Sequence, residues 1–363
     1  MVKQDKKLSL ETNTVNSHPE IDLHENVVIH DDRGLQAIIA VHNSNLGPAT
    51  GGCRIYPYAS IHDALTDVLR LSRGMTYKSA MAGLPLGGGK SVIIANPAED
   101  KSRDLLLAMG DFIESFNGQY IAAEDSGTTV DDIKVMALRT RHVSGIFADE
   151  EFGGDPSPVT AYGVFLGIKE AVRYRLGTDL QGIRVAVQGV GNVGHHLVRL
   201  LRSAKARVIV ADANSTRVGT VVKEFRVACC SPAAILSTEV DVIAPCALGS
   251  AINTSNLPQI KAKIIAGAAN NQLEHAALGE ELFQRGILYA PDYVINSGGI
   301  IDIHYQQQGV RDIDVINAHV QKISATLANI FMESDRQQRA TNAIADEMGR
   351  ARFMSSVPRF AAA

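Results

Sequence analysis

The chain has 363 residues, 35 Lys+Arg against 39 Asp+Glu, a formal net charge of −4, 45% hydrophobic residues and no tryptophan. That length favours two domains, each able to bury a sizeable core. The slightly acidic balance, without a basic stripe, gives nucleic-acid binding no electrostatic basis, and no segment has the apolar length of a membrane span or a secretory h-region. The expectation is a soluble, cytoplasmic protein with neither nucleic-acid nor membrane partners. Cys53, Cys229, Cys230 and Cys246 show no metal-ligand spacing, so no metal site is expected and all four read as reduced core residues.

In chain order, 26–30 and 35–41 read as strands. Ile61, Ala64, Leu65, Val68, Leu69 and Met75 then repeat at helical spacing over about 61–79, and Lys78 sits on that last turn. A glycine-rich turn, Gly87-Gly88-Gly89, leads through Lys90 into a buried strand at 91–95. A helix–turn–strand hairpin brings two ammonium groups into one cleft, where repulsion and partial burial favour a neutral lysine that works as a base. A P-loop is disfavoured, because Leu84 stands where that pattern requires glycine and a strand follows the lysine where it requires a helix.

A helix at about 103–117 and a strand at 120–123 follow, so Glu124 and Asp125 lie at a strand's C-terminal end, where α/β sheets present functional groups. Thr129 with Asp132 forms a capping box for the next helix; Asp125 has no such structural reason and is the better catalytic candidate, since a carboxylate near a lysine exchanges protons with it. Gly153, Gly154, Pro156 and Pro158 end this first α/β domain, and a helix carrying Ala161, Val164, Phe165, Ile168 and Val172 on one face connects it to the next.

Strands at 183–188, 207–212, 241–245, 263–266 and 287–290 alternate with helices in the manner of a parallel, doubly wound sheet. Gly189-Val190-Gly191-Asn192-Val193-Gly194 follows the first of these strands and opens a helix, a dinucleotide-binding turn in its proper context. Asp212 ends the second strand, where an acid binds both ribose hydroxyls and repels a 2′-phosphate, so NAD is favoured over NADP. His195 and His196 read as ordinary helix residues. A helix at about 313–333 closes the domain, and a last one at about 342–353 folds back on the N-terminal domain.

The whole is an α/β protein of two domains: a substrate-binding and oligomerisation domain, 1–152 with the C-terminal helix from about 335 to 363, and a Rossmann NAD-binding domain, 153–334. Over about 25–350 the chain resembles the amino-acid dehydrogenases that include leucine, valine, phenylalanine and glutamate dehydrogenases. It is most similar to the leucine branch and the related tryptophan dehydrogenases. The motifs are 46–54, the two-lysine segment, 124–129, the dinucleotide turn, 266–272 and 291–299.

The resemblance implies reversible oxidative deamination of an L-amino acid to a 2-oxo acid, ammonia and NADH, in a homo-oligomer. It makes Lys78 the ligand of the substrate α-carboxylate, Lys90 the general base and Asp125 the group that holds the amine and relays protons. It sets Gly51, Gly52 and Met75 at the amino-acid end, Asn271 between substrate and cofactor, and Thr160, Ala247 and Asn270 against NAD with the glycine turn. Thr50, Ala123, Ile300 and Ile303 surround the substrate side chain. Thr50 stands where leucine-type enzymes carry a larger apolar residue, and Asp302 where asparagine is expected.

None of the pocket residues is cationic, so apolar branched-chain substrates rank first, aromatic ones second and glutamate last. A 2-hydroxy-acid dehydrogenase would use a histidine–carboxylate base, for which no histidine here has a motif context. A non-catalytic NAD-binding assembly protein would have no use for Lys78, Lys90 and Asp125 together.

Overall fold

The computed structural model describes residues 18, 20–32, 34–146, 155–247 and 249–355. They form two compact units, the first from the residues up to 146 together with 349–355, the second spanning 155–348. The expected break at 151–154 lies outside the described residues. None of the described helices is long and apolar enough to cross a membrane.

In the first unit the order is β1 (Asn26–Asp32), β2 (Leu35–Asn43), β3 (Ala49–Tyr56), α1 (Ile61–Ala82), β4 (Gly87–Ile94), α2 (Arg103–Glu114), β5 (Tyr120–Glu124) and α3 (Val130–Met136). The five strands form one sheet in the order β1-β2-β4-β3-β5. Strand alternation divides the core in two. Ile38 and Ala40 face α1 with Leu65, Val68 and Leu69, whereas Ala37, Ile39 and Val41 face α2 and α3 with Met109, Phe112, Ile113 and Met136. The apolar stripe of α1 is thus one wall of a three-layer sandwich.

Two expectations change here. Gly87, Gly88 and Gly89 are not a turn but the first residues of β4, which starts before Lys90. They are strand residues because neighbours press on them: a Cβ on Gly89 would lie 2.7 Å from the Tyr120 ring. The turn falls instead at Gly83, whose φ of 70° ends α1 with a left-handed cap. Strand β3, between β4 and β5, is not marked by periodicity, because Gly51-Gly52 dilutes its apolar signal.

The second unit contains α4 (Ser157–Leu176), β6 (Arg184–Gln188), α5 (Asn192–Ser203), β7 (Arg207–Ala211), α6 (Ser215–Phe225), β8 (Ala228–Cys229), β9 (Val242–Pro245), β10 (Ile264–Ile265), α7 (Leu278–Gln284), β11 (Leu288–Tyr289), α8 (Asp292–Ile295), α9 (Gly298–Gln307), α10 (Ile313–Val320) and α11 (Lys322–Gln337). Its six strands are all parallel, in the order β11-β10-β9-β6-β7-β8. The order reverses between β6 and β9, the switch point at which such sheets open a crevice for a ligand. The helix expected over 313–333 is two helices, α10 and α11, divided at Gln321.

The last helix, α12 (Thr341–Met354), is shared between the units at Gly349, not assigned to the first from about 335. Thr341 donates to the Tyr289 carbonyl at 2.7 Å and Asp346 accepts from the Tyr293 hydroxyl at 2.7 Å, which ties 341–348 to the second unit. Cys229 is exposed and Cys230 half-buried. The thiols at this position are not core residues, because β8 is an edge strand of two residues.

Candidate active site

In the first unit the two strands beside β3 bring a lysine and an acid together. Gly52 stands opposite Ala123 of β5, and Thr50 opposite Gly88 of β4. Lys90, 5% exposed, reaches across, and its Nζ lies 2.7 Å from Asp125 Oδ2. Gly52 makes this approach possible: a Cβ there would sit 2.6 Å from Asp125 Cβ and 3.1 Å from Lys90 Nζ. The loop holding Asp125 is fixed by Thr128, whose hydroxyl accepts the Asp125 N–H at 2.9 Å and lies 2.9 Å from the Cys53 carbonyl. Thr129 and Asp132 form the expected capping box.

Burial pushes the Asp125 carboxyl up, but the Lys90 ammonium and the Arg54 guanidinium more than offset it and hold the group below the usual carboxylate range. The Lys90 side chain therefore has the carboxylate partner that the sequence reading gave to a lysine. Lys78 and Met75 are half-buried on α1, Thr50 is buried and Ala123 half-buried. Arg54, the last residue of the 46–54 motif, was given no role by the sequence; its Nε donates to Asp125 Oδ2 at 3.0 Å. A charged residue two positions after Gly52 on the same strand face could have flagged it.

The second unit has a separate constellation at the switch point. Gly189 has φ 94°, and a Cβ there would meet Ala247 at 2.8 Å. Gly194 packs its helix directly on the Gly189 carbonyl. Beside Gly191, in contrast, the nearest atom to an added Cβ is Arg217 Nη1 at 3.9 Å, so the backbone is open to a ligand. Gly191 caps α5 without a side-chain hydrogen bond, which leaves the helix N–H groups to an anion. Asp212 accepts the Val190 N–H at 2.8 Å and the Asn214 N–H at 2.8 Å, which places a carboxylate beside the turn. An open glycine turn, a free helix N-terminus and an adjacent acid fit a dinucleotide. Asn192 and Val193 form the first turn of α5.

Asp155, Val190, Gly191, Asn192, His195, His196 and Arg217 line one pocket here. His195 and His196 are therefore pocket residues as well as helix residues, and Arg217 and Asp155 went unrecognised. An arginine on the first turn of a helix, five residues after the acidic strand end, was the available signal for Arg217. Burial, then Arg199 and His195, lowers the His196 imidazole and keeps it neutral.

Asn270 and Asn271 are exposed, with φ 50° at Asn271. Their loop is braced by Asn296, which donates to Asn270 Oδ1 at 2.8 Å and to the Ala268 carbonyl at 3.1 Å. Gln272, fully buried, donates to the Gly267 and Ala269 carbonyls. On α9, Ile300 and Asp302 are buried and Ile303 half-buried. Burial raises the Asp302 carboxyl above its ordinary range. Thr160 sits against Gly299, with its Oγ1 2.6 Å from the position of an added Cβ.

Residues 19–142 match the family model for the Glu/Leu/Phe/Val dehydrogenase dimerisation domain, and 155–224 with 213–350 match that for glutamate/leucine/phenylalanine/valine dehydrogenase. The chain is 46% identical to the leucine dehydrogenase of Bacillus cereus over 335 residues, covering 92% of this chain and 91% of the relative. It is 43% identical over 342 residues to the valine dehydrogenase of Streptomyces virginiae, covering 93% and 95%. The crystal structure of L-tryptophan dehydrogenase from Nostoc punctiforme superposes with a TM-score of 0.81 at 42% identity, covering 95% of this chain and 98% of that one. With models matched across both units and relatives aligned nearly end to end, the chain belongs to the glutamate/leucine/phenylalanine/valine dehydrogenase family of NAD(P)-dependent amino-acid dehydrogenases.

Proposed function

We propose that the protein catalyses the reversible oxidative deamination of an apolar, branched-chain L-amino acid, with NAD preferred over NADP. The observation that carries this reading is the Lys90–Asp125 pair, 2.7 Å apart and built against Gly52. When bound, the dinucleotide supplies the hydride acceptor. Lys90 Nζ in its neutral form takes the proton of the attacking water, and the Asp125 carboxylate holds the substrate amine and relays that proton from the lysine to departing ammonia. Lys78 binds the substrate α-carboxylate, with Met75 and the backbone of Gly51 and Gly52 at that end. Asn271 spans substrate and cofactor, and Thr160, Ala247 and Asn270 complete the cofactor's surroundings.

The side-chain preference rests on Thr50, Ala123, Ile300 and Ile303. A glutamate side chain would bring a carboxylate to a set of neutral residues, and an unpaired buried charge costs several kcal/mol. The leucine and valine dehydrogenases among its relatives support the branched-chain reading. The modest size of Thr50 and the likeness to L-tryptophan dehydrogenase favour an aromatic substrate as the second reading. Asp212 supports NAD, because its carboxylate beside the turn repels a 2′-phosphate. The family model for 19–142 is a dimerisation domain, which supports self-association.

The test is NADH formation from leucine, valine, phenylalanine, tryptophan and glutamate, repeated with NADP. Leucine or valine should give the highest kcat/KM; glutamate as best substrate would refute the pocket argument, and an aromatic winner would promote the second reading. Asp212→Ala should narrow the NAD/NADP ratio and weaken NADH binding in fluorescence titration.

A further inference from the structure

We propose that Arg54 is a positioning residue for the reaction: its guanidinium bridges two carboxylates, fixes Asp125 against Lys90 and shares the Asp125 charge with the lysine. This rests on the reading that Lys90 and Asp125 carry the chemistry. Arg54 Nε donates to Asp125 Oδ2 at 3.0 Å, and its Nη1 donates to Asp67 Oδ2 at 2.7 Å. Tyr58 OH donates to that same Asp67 oxygen at 2.5 Å. The guanidinium thus joins three elements: β3 that bears it, the loop after β5 that bears Asp125, and α1, which bears both Asp67 and Lys78. A planar fork with donors at fixed spacing holds the two carboxylates in one geometry; a lysine ammonium, a point charge on a flexible stem, does not fix that spacing.

The electrostatics follow from the shared oxygen. Lys90 Nζ and Arg54 Nε both converge on Asp125 Oδ2, at 2.7 and 3.0 Å. A carboxylate that faced Lys90 alone would hold the ammonium proton tightly and oppose the lysine's work as a base. A second cation on the same oxygen weakens that hold without disturbing the carboxylate's place, and Asp67 balances the added charge. The Asp125, Arg54 and Asp67 side chains are 23%, 23% and 28% exposed, so water screens the arrangement only in part. Among the described residues, titratable groups that act on this cluster include the Tyr58, Cys53 and Tyr120 side chains, all pushed up by burial and so neutral, and Asp132, which is paired with Lys101 at 2.8 Å.

The experiment compares full-length wild type, Arg54→Gln, Arg54→Lys and Asp125→Asn by steady-state deamination of leucine with NAD from about pH 7 to about pH 11, with thermal melts and NADH titrations alongside. Arg54→Gln should lower kcat by about 10²-fold, leave NADH affinity unchanged and move the acid limb of kcat/KM upward by about one unit or more, because both Asp125 ionisation and proton release from the pair become harder. Arg54→Lys, which keeps the charge and loses the fork, should restore the limb while kcat stays below wild type. A folded Arg54→Gln enzyme with a wild-type limb and only a lowered Tm would overturn the proposal and leave Arg54 a staple between β3 and α1. If Arg54→Gln does not fold, Arg54→Lys decides: wild-type kcat overturns the bridging role, and a reduced kcat with an unmoved limb supports it. Asp125→Asn separates this from the underlying reading, since a fully active Asp125→Asn enzyme would refute the role of Asp125 itself.

Discussion

Replacing Gly52 with alanine tests the active-site geometry with a single methyl group. The added carbon would lie 2.6 Å from Asp125 Cβ, 2.8 Å from the Glu124 carbonyl oxygen and 3.1 Å from Lys90 Nζ. Carbon atoms pack at about 3.5–4.0 Å, so Asp125 must retreat by roughly 1 Å. That movement breaks the present 2.7 Å contact with Lys90 and the 3.0 Å contact with Arg54. A displacement of about 1 Å at reacting groups costs on the order of 10² in rate, while overpacking costs about 1–3 kcal/mol of stability. The assay is kcat and KM for leucine and NAD, with a thermal melt and an NADH titration; kcat should fall about 100-fold and NADH affinity should hold, because the glycine turn belongs to the other unit. Gly219→Ala is the control, as nothing lies within 4 Å of its Cβ position on α6. It should leave kcat unchanged and add about 0.5–1 kcal/mol of stability. A folded Gly52→Ala enzyme with kcat within about threefold of wild type would refute the geometric argument.

Two further expectations concern pH and stability. Burial, with His24 and Arg73 nearby, pushes the His42 imidazole down to about 3 while its ring bonds Thr76 at 2.8 Å. Because the folded value is depressed below the unfolded one of about 6.5, the unfolded chain binds the extra proton between those values, and stability falls with pH across that window, by about 2 kcal/mol at pH 5. Chemical denaturation of wild type and His42→Gln over that range should show a shallower slope in the variant, and equal slopes would contradict it. Asp302 has the opposite sign: its folded value is raised by burial, so the ionised form is penalised near neutrality and the penalty fades as pH falls toward the ordinary carboxylate range. Asp302→Asn should therefore be more stable than wild type near pH 8, with the gain vanishing in acid; a less stable variant near pH 8 would count against the argument.

What the sequence determined by itself was local. The spacing of Ile61, Ala64, Leu65, Val68 and Leu69 was enough for α1, and the order strand, Gly189-x-Gly191-x-x-Gly194, helix was enough for the glycine turn that opens α5, because periodicity and turn chemistry act over neighbouring residues. The motifs around Lys90 and Asp125 were legible for the same reason. The tertiary structure decided the rest. Strand β3 is a strand despite Gly51-Gly52 because β4 and β5 pair with it on both sides, and Gly87–Gly89 lie in β4 where Asn43, Thr76 and Tyr120 in turn leave no room for a side chain. Arg54 and Asp125, 71 positions apart, share an ion pair that no periodicity encodes. Arg217 and His196 likewise became pocket residues only when α6 and α5 packed beside the turn. Pattern reports which face of an element is apolar; which charged groups meet across elements depends on strand order and register, and these are settled only when the whole sheet closes.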